Sequence, residues 1–148
     1  MIKLIILILL IYSKCISQEG WYELNSPTKN DIREIHFYDE NLGMICDFEN
    51  VFLTQDGGKT FKALNSNIEN SKLYSAIILD KNTIAVSGYD IKDKLYLNFV
   101  KKTNDFGNTW EYLYEESYVK IYYLSNLRLF NNKIAFSSRN RGINNDLS

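Results

Sequence analysis

The side chains able to do chemistry in this chain of 148 residues are few and scattered. There is one histidine, His36, and there are two cysteines, Cys15 and Cys46. A structural zinc site needs four clustered Cys/His ligands, and that supply is missing. Cys46 lies in the apolar run Leu42–Phe48, where a thiol reads as a small buried hydrophobe. Four arginines (Arg33, Arg128, Arg139 and Arg141) could grip an anion, but they share no motif. Tyr114-Glu115 offers a phenol beside a carboxylate, yet with 11 tyrosines such a neighbour arises easily by chance. Asp31, Asp80 and Asp90 could serve as acid and base across a glycosidic bond, but their spacing supplies no geometry. The chain has no phosphate-cradling glycine loop, no dinucleotide fingerprint, no nucleophile elbow and no calcium loop. The expectation is no catalytic residue, no cofactor and no metal.

One pattern does recur. Thr54, Asp56, Gly58, Thr60 and Phe61 stand at the same offsets as Thr103, Asp105, Gly107, Thr109 and Trp110. The types suit a hairpin turn that closes itself. Glycine takes the positive φ of a tight turn. Aspartate is short enough to accept backbone N–H groups a few residues on. Threonine favours strand geometry and can donate its hydroxyl to that carboxylate. The aromatic then covers the turn with apolar area. A third near-match, Ser138 to Gly142, lacks both the aspartate and the aromatic.

The elements around these turns read as short strands. In the first unit, 31–71, strands are expected at Ile32–Tyr38 (Ile35 and Phe37 on one face), Leu42–Phe48, Val51–Thr54 and Thr60–Leu64. The second, 72–118, offers Leu73–Leu79, Thr83–Tyr89, a longer polar turn at Asp90–Lys94, Leu95–Lys102 and Thr109–Tyr114. A third, 119–148, begins with Ile121–Phe130 and Lys133–Ser138 and then turns polar. Asp80–Ser87 and Phe130–Ser137 match in turn, Ile-Ala pair and final serine. Asp56 and Asp105 are 49 residues apart, close to the ~40–50 of one blade in a repeat architecture. Trp21–Leu24 reads as a separate N-terminal strand. The alternating aromatics Tyr112, Tyr114, Tyr118, Tyr122 and Tyr123 read as strand formers filling space between sheets, in preference to a stacking strip for a ligand.

Residues 1–17 stand apart. Lys3 precedes the apolar run Leu4–Tyr12, and Cys15-Ile16-Ser17 puts small residues at the −3 and −1 positions of a cleavage site. This reads as a secretory signal peptide, with cleavage expected after Ser17. The run is far short of the ~20 residues of a spanning helix. Lys14 next to Cys15 disfavours lipidation there. Export leaves Cys46 alone, with no intramolecular disulfide. The formal charge of −1 becomes more acidic by the loss of Lys3 and Lys14. With no basic stripe, a nucleic-acid partner is not expected.

The recurring pattern resembles the Asp-box of BNR-repeat β-propellers. The resemblance implies an all-β fold of four-stranded antiparallel blades, each box an outer-rim staple between third and fourth strands. Residues Trp21, Ser26-Pro27-Thr28, Phe37, Asp39, Gly43 and Thr54–Phe61 further resemble the repeat of the photosystem II stability/assembly factor family and its secreted bacterial relatives. Gly43-Met44 and Cys46-Asp47 replace the Gly-Trp and Gly-x-Gly of that family's better-defined members, so only the blade carries over. Sialidases also carry Asp-boxes, but their arginine triad and Arg-Ile-Pro opening have no counterpart here. About two and a half blades are present, fewer than the four a propeller needs to close. The expected role is an exported, non-catalytic binding or scaffold module for a protein or glycan ligand, completed by self-association or by C-terminal blades beyond this sequence. The alternatives are the N-terminal part of a secreted propeller glycoside hydrolase, or a truncated product without function.

Overall fold

The computed structural model describes residues 23–64, 71–118 and 122–140. Among the described residues ten strands form three antiparallel sheets, none closed on itself. The first sheet holds β1 (Glu34–Phe37), β2 (Gly43–Cys46), β3 (Val51–Thr54) and β4 (Lys62–Ala63), in that order. The second holds β5 (Lys72–Ile78), β6 (Ile84–Lys92), β7 (Leu95–Thr103) and β8 (Glu111–Tyr118), again in chain order. The third is the pair β9 (Tyr122–Phe130) and β10 (Lys133–Asn140). The fold is all-β. Among the described residues no helix is long and apolar enough to cross a membrane.

Local chemistry sets the turns. Asp39 Oδ1 accepts the N–H groups of Asn41 and Leu42 at 2.9 and 2.7 Å, closing β1 onto β2. Asp80 does the same for Asn82 and Thr83 between β5 and β6, both at 2.9 Å. These are side chains copying a backbone turn. Asn131 and Asn132 take φ of 47° and 59°, the paired left-handed residues of a two-residue hairpin.

Two sequence expectations are corrected here. The turn between β6 and β7 is not Asp90–Lys94 but Asp93-Lys94, both at positive φ, and Asp90 to Lys92 continue the strand. Asp90 is held there because its carboxylate bonds the Ser71 hydroxyl and faces the Lys101 ammonium at 3.5 Å, partners on either side of β6, just before β5 and on β7 of the same sheet. The N-terminal strand is also absent over its described part, since Glu23 and Leu24 belong to no strand. Trp21 and Tyr22, the signal segment 1–17 and the polar end 141–148 lie outside the described residues.

The second sheet is the middle layer. Ala76, Ile78, Ile84, Val86 and Phe99 pack with Met44, Cys46, Val51 and Leu53 of the first sheet. Ile77, Ala85 and Val100 pack on Leu124 and Leu127 of the third. Odd and even positions thus feed separate cores, as the two-residue period of a strand requires. Each large side chain fully buried this way, such as Phe99, Met44 or Leu73, contributes about 1.5–3 kcal/mol. Tyr114 packs against Phe136 and Tyr123 against Tyr74, with ring centroids 5.3 and 4.7 Å apart, so these aromatics do fill space between sheets. Ile35 and Phe37 share a face of β1, but it is the outward one, 57% and 42% exposed. Glu34 and His36 turn towards the second sheet instead, and bond Ser75 and Ile78.

Gly88 is where β6 approaches β5 most closely. A Cβ there would sit 2.2 Å from the carbonyl oxygen of Lys72. Gly88→Ala must push the strands apart, an overpacking cost of about 1–3 kcal/mol. The measurement is the urea midpoint, which should fall with an unchanged slope.

Candidate functional site

The two recurring turns have the same bonds. Thr54 Oγ1 donates to Asp56 Oδ1 at 2.8 Å and accepts the N–H of Gly58 at 2.8 Å. Asp56 then accepts the N–H of Thr60 at 2.9 Å and its hydroxyl at 2.6 Å. In the second turn Thr103 donates to Asp105 at 2.7 Å and accepts from Gly107 at 2.9 Å. Asp105 accepts the N–H and hydroxyl of Thr109 at 2.9 and 2.6 Å. Gly58 and Gly107 take φ of 89° and 87°. The residue before each is left-handed as well: Gly57 at 72°, but Phe106 at 55°, an uncommon conformation for a bulky side chain. Phe61 is half-buried near Gly58, and Trp110 packs against the core shared by the first two sheets.

Each turn carboxylate is fully engaged by its own hairpin. The Thr60 hydroxyl and N–H, with the Thr54 hydroxyl, hold the Asp56 carboxyl down at about 2. Asp105 is lowered by the same set from Thr109 and Thr103. A carboxylate this acidic and this occupied is a poor proton acceptor for a substrate. Between the turns lies a recess of about 730 Å³ lined by Leu53, Gln55, Phe61, Leu64, Phe106 and Asn108. Asp56, Thr60 and Lys62 also line it, and the Asp56 carboxylate there is already taken by the Thr54 and Thr60 donors.

A second constellation comes from the first strand of each sheet. Ser75 Oγ on β5 donates to Glu34 Oε2 on β1 at 3.0 Å and accepts the N–H of Leu127 on β9 at 3.1 Å. Arg128 Nη1 lies 3.5 Å from Glu34 Oε1, and it donates to the Leu127 carbonyl at 2.7 Å. His36 Nδ1 accepts the N–H of Ile78 at 3.3 Å. Burial lowers the His36 pKa, Glu34 partly offsets that, and Arg128 adds to the lowering. A neutral imidazole is the form that can accept that N–H. Ser75 is fully buried with both bonding roles taken, so it is a joint and not a nucleophile. Arg128 is the reachable charge, its side chain 61% exposed beside the 19% of Glu34. The arrangement can bind an anion or a polar ligand. It has no activated nucleophile.

The sequence pattern pointed to the ten turn residues, and in each turn hydrogen bonds join the two threonines, the aspartate and the glycine, while Trp110 packs on the core. It did not point to Glu34, Ser75 or Arg128 as a group, because they lie on three sheets and meet only by stacking. His36 lies in this cluster, whereas Arg33 stacks its guanidinium 3.9 Å over Phe48. Tyr114 donates its phenol to Glu116 rather than serving Glu115. Cys46 is buried and donates to the Asp47 carbonyl at 3.2 Å, and burial first, then the Asp47 charge, push its thiol up to about 12. Asp47 was not singled out either. Burial raises its pKa, but bonds from Thr28, the Glu49 and Asn50 N–H groups and Asn30 lower it further, so the carboxylate stays charged and ties the segment before β1 to the β2–β3 turn. Among the described residues no group of three His, Cys, Asp or Glu could hold a metal ion.

Thr54→Val keeps the shape but strips the N–H of Gly58 of its acceptor at a buried position. The expected loss is about 1–3 kcal/mol in chemical denaturation. Acid should act on the same turns. Folding lowers the Asp56 pKa from 3.8 to about 2, so its contribution is complete above 3.8 and is lost as the pH falls towards 2. Asp105 is shifted in the same direction. An acid titration of the folded fraction should therefore be less steep in that window for Asp56→Asn than for the parent.

The chain matches no family model, no curated protein and no solved structure.

Proposed function

We propose that this chain is an exported binding or scaffold module built of BNR-type propeller blades, with no catalytic activity of its own. In this reading the two four-stranded sheets are blades, the β9–β10 pair is the start of a third, and Thr54–Phe61 and Thr103–Trp110 are Asp-boxes stapling third to fourth strands. The observation that carries the reading is the adjacency of the three first strands, joined by Glu34, Ser75 and the backbone of Leu127. In a propeller the first strands line the central channel, the usual ligand side, whereas the boxes stay at the rim. The ligand surface is then the one that includes Arg128, Glu34 and His36, and it suits a protein or glycan with an anionic or hydrogen-bonding group. Lys3, the apolar run after it and the small residues before Gln18 support a secreted, periplasmic or cell-surface location.

The test is a binding screen of the purified chain against a glycan panel and the exported proteins of its own cell. Arg128→Ala should weaken any genuine interaction at least tenfold, the loss typical of truncating an interface arginine anchor. The same substitution should leave the circular dichroism unchanged. Release of sugar from a glycoside that disappears in Glu34→Gln would overturn the non-catalytic reading and favour a glycoside hydrolase fragment.

A further inference from the structure

We propose that copies of this chain associate head to tail, the outward face of the third sheet in one copy receiving the outward face of the first sheet in the next. The basis is a cross-strand pair that stands at one register position in all three sheets. It is Glu34 opposite Cys46 in the first, Ser75 opposite Ser87 in the second and Ser125 opposite Ser137 in the third. Each pair brackets the turn between the first and second strands of its sheet.

Two of these pairs hold the next sheet. From the first sheet, Glu34 accepts the hydroxyl of Ser75 on β5, and Cys46 joins the core with Ala76, Ile78 and Val86. From the second sheet, Ser87 donates to the carbonyl of Leu124 on β9, and Ser75 accepts the N–H of Leu127 on the same strand. This pair therefore grips the backbone of the following first strand through one donor and one acceptor. The third pair has the same hydroxyls and faces outward. Ser137 turns back to the carbonyl of Ser125 at 3.1 Å, and the two hydroxyl oxygens lie 3.3 Å apart. The Asn126 amide donates to the Ser125 and Ser137 hydroxyls at 3.3 and 3.0 Å, all at an exposed position where an incoming strand would take Asn126's place. Ala135, which stands two residues before Ser137 as Ala85 stands before Ser87, lies on the same face.

The opposite end of the stack carries the complement. Ile35 and Ile45 occupy in the first sheet the register that Ala76 and Val86 occupy in the second. Ala76, Ile78 and Val86 are the side chains by which the second sheet sits on the first. On that face Ile35 and Phe37 are 57% and 42% exposed, at the β1 edge beside the buried Ile45. Among the described sheets the third thus carries a receiving face and the first an inserting face, and the contact between such faces already occurs twice, between the first and second sheets and between the second and third. The two faces differ, so the association is heterologous. It closes into a ring or continues as an open chain according to the rotation per copy.

This rests on the stacking of the sheets and not on any ligand, so it can fail while the binding reading stands. Native mass spectrometry and sedimentation of the purified chain over a concentration series provide the test. The parent should form species larger than the monomer that grow with concentration. Ser137→Arg plugs the receiving face and Ile35→Lys charges the inserting face, both at exposed positions. Each variant alone should run as a monomer with parental circular dichroism. Mixed in equal amounts they should give a heterodimer and nothing larger, since one intact face remains on each. If either variant loses the parental spectrum, Ser125→Arg and Ile35→Asp take their places. A parent that is monomeric throughout, variants that assemble like the parent, or a mixture that stays monomeric would each overturn the proposal.

Discussion

A strand sheet with apolar side chains on both faces must be covered on both, because neither face can be left in water at acceptable cost. That constraint falls on β5, β6 and β7. Ala76, Ile78, Ile84, Val86 and Phe99 point one way, while Ile77, Ala85 and Val100 point the other. The first and third sheets are the covers, and nearly everything else about the molecule follows from their position. It brings β1, β5 and β9 side by side, and it leaves one cover with an apolar outer face.

The turns answer a different need. The bonds between the aspartates and second threonines of these hairpins are exposed, so closure there comes from the turn's own hydrogen bonds, while Thr54, Thr103 and Trp110 anchor the turns inward. In both Thr-x-Asp-x-Gly-x-Thr turns the carboxylate collects three donors from within five residues, and the leading threonine satisfies the glycine N–H. Because every partner is local, the second turn keeps the pattern even with Phe106 where the first has Gly57, at the expense of an unfavourable backbone conformation. The depressed acidity of these aspartates reflects that local closure, not a catalytic role.

Polar joints accompany the apolar stacking. Ser75 reaches both neighbouring sheets, Ser87 reaches β9, and Glu34 accepts from Ser75 while facing Arg128. Hydrophobic faces are tolerant of sliding, whereas a buried hydroxyl left without a partner costs about 1–3 kcal/mol. Such bonds fix how one sheet sits on the next. They also gather charge where a ligand could reach it, at Arg128, on a surface no single sheet contains.

Local structure was legible from residue order alone. The strand Val51–Thr54, the Asp39 and Asp80 turns, the Asn131-Asn132 hairpin and both Thr/Asp closures depend on partners a few residues apart, so spacing determined them. What lies between sheets was not legible. Asp90 was read as a loop residue because its partners, Ser71 and Lys101, come from elsewhere in the chain. Ile35 and Phe37 have an alternation that marks a face but cannot say whether that face meets another sheet or water. The meeting of Glu34, Ser75 and Arg128 was likewise decided only by tertiary structure, since it requires three sheets to stack in one register. The sequence by itself determined most of the strands and the turns closed by local partners, but not the β6–β7 turn or the N-terminal segment. Stacking decided which faces are buried and which side chains meet, because those contacts join residues 41 to 94 positions apart.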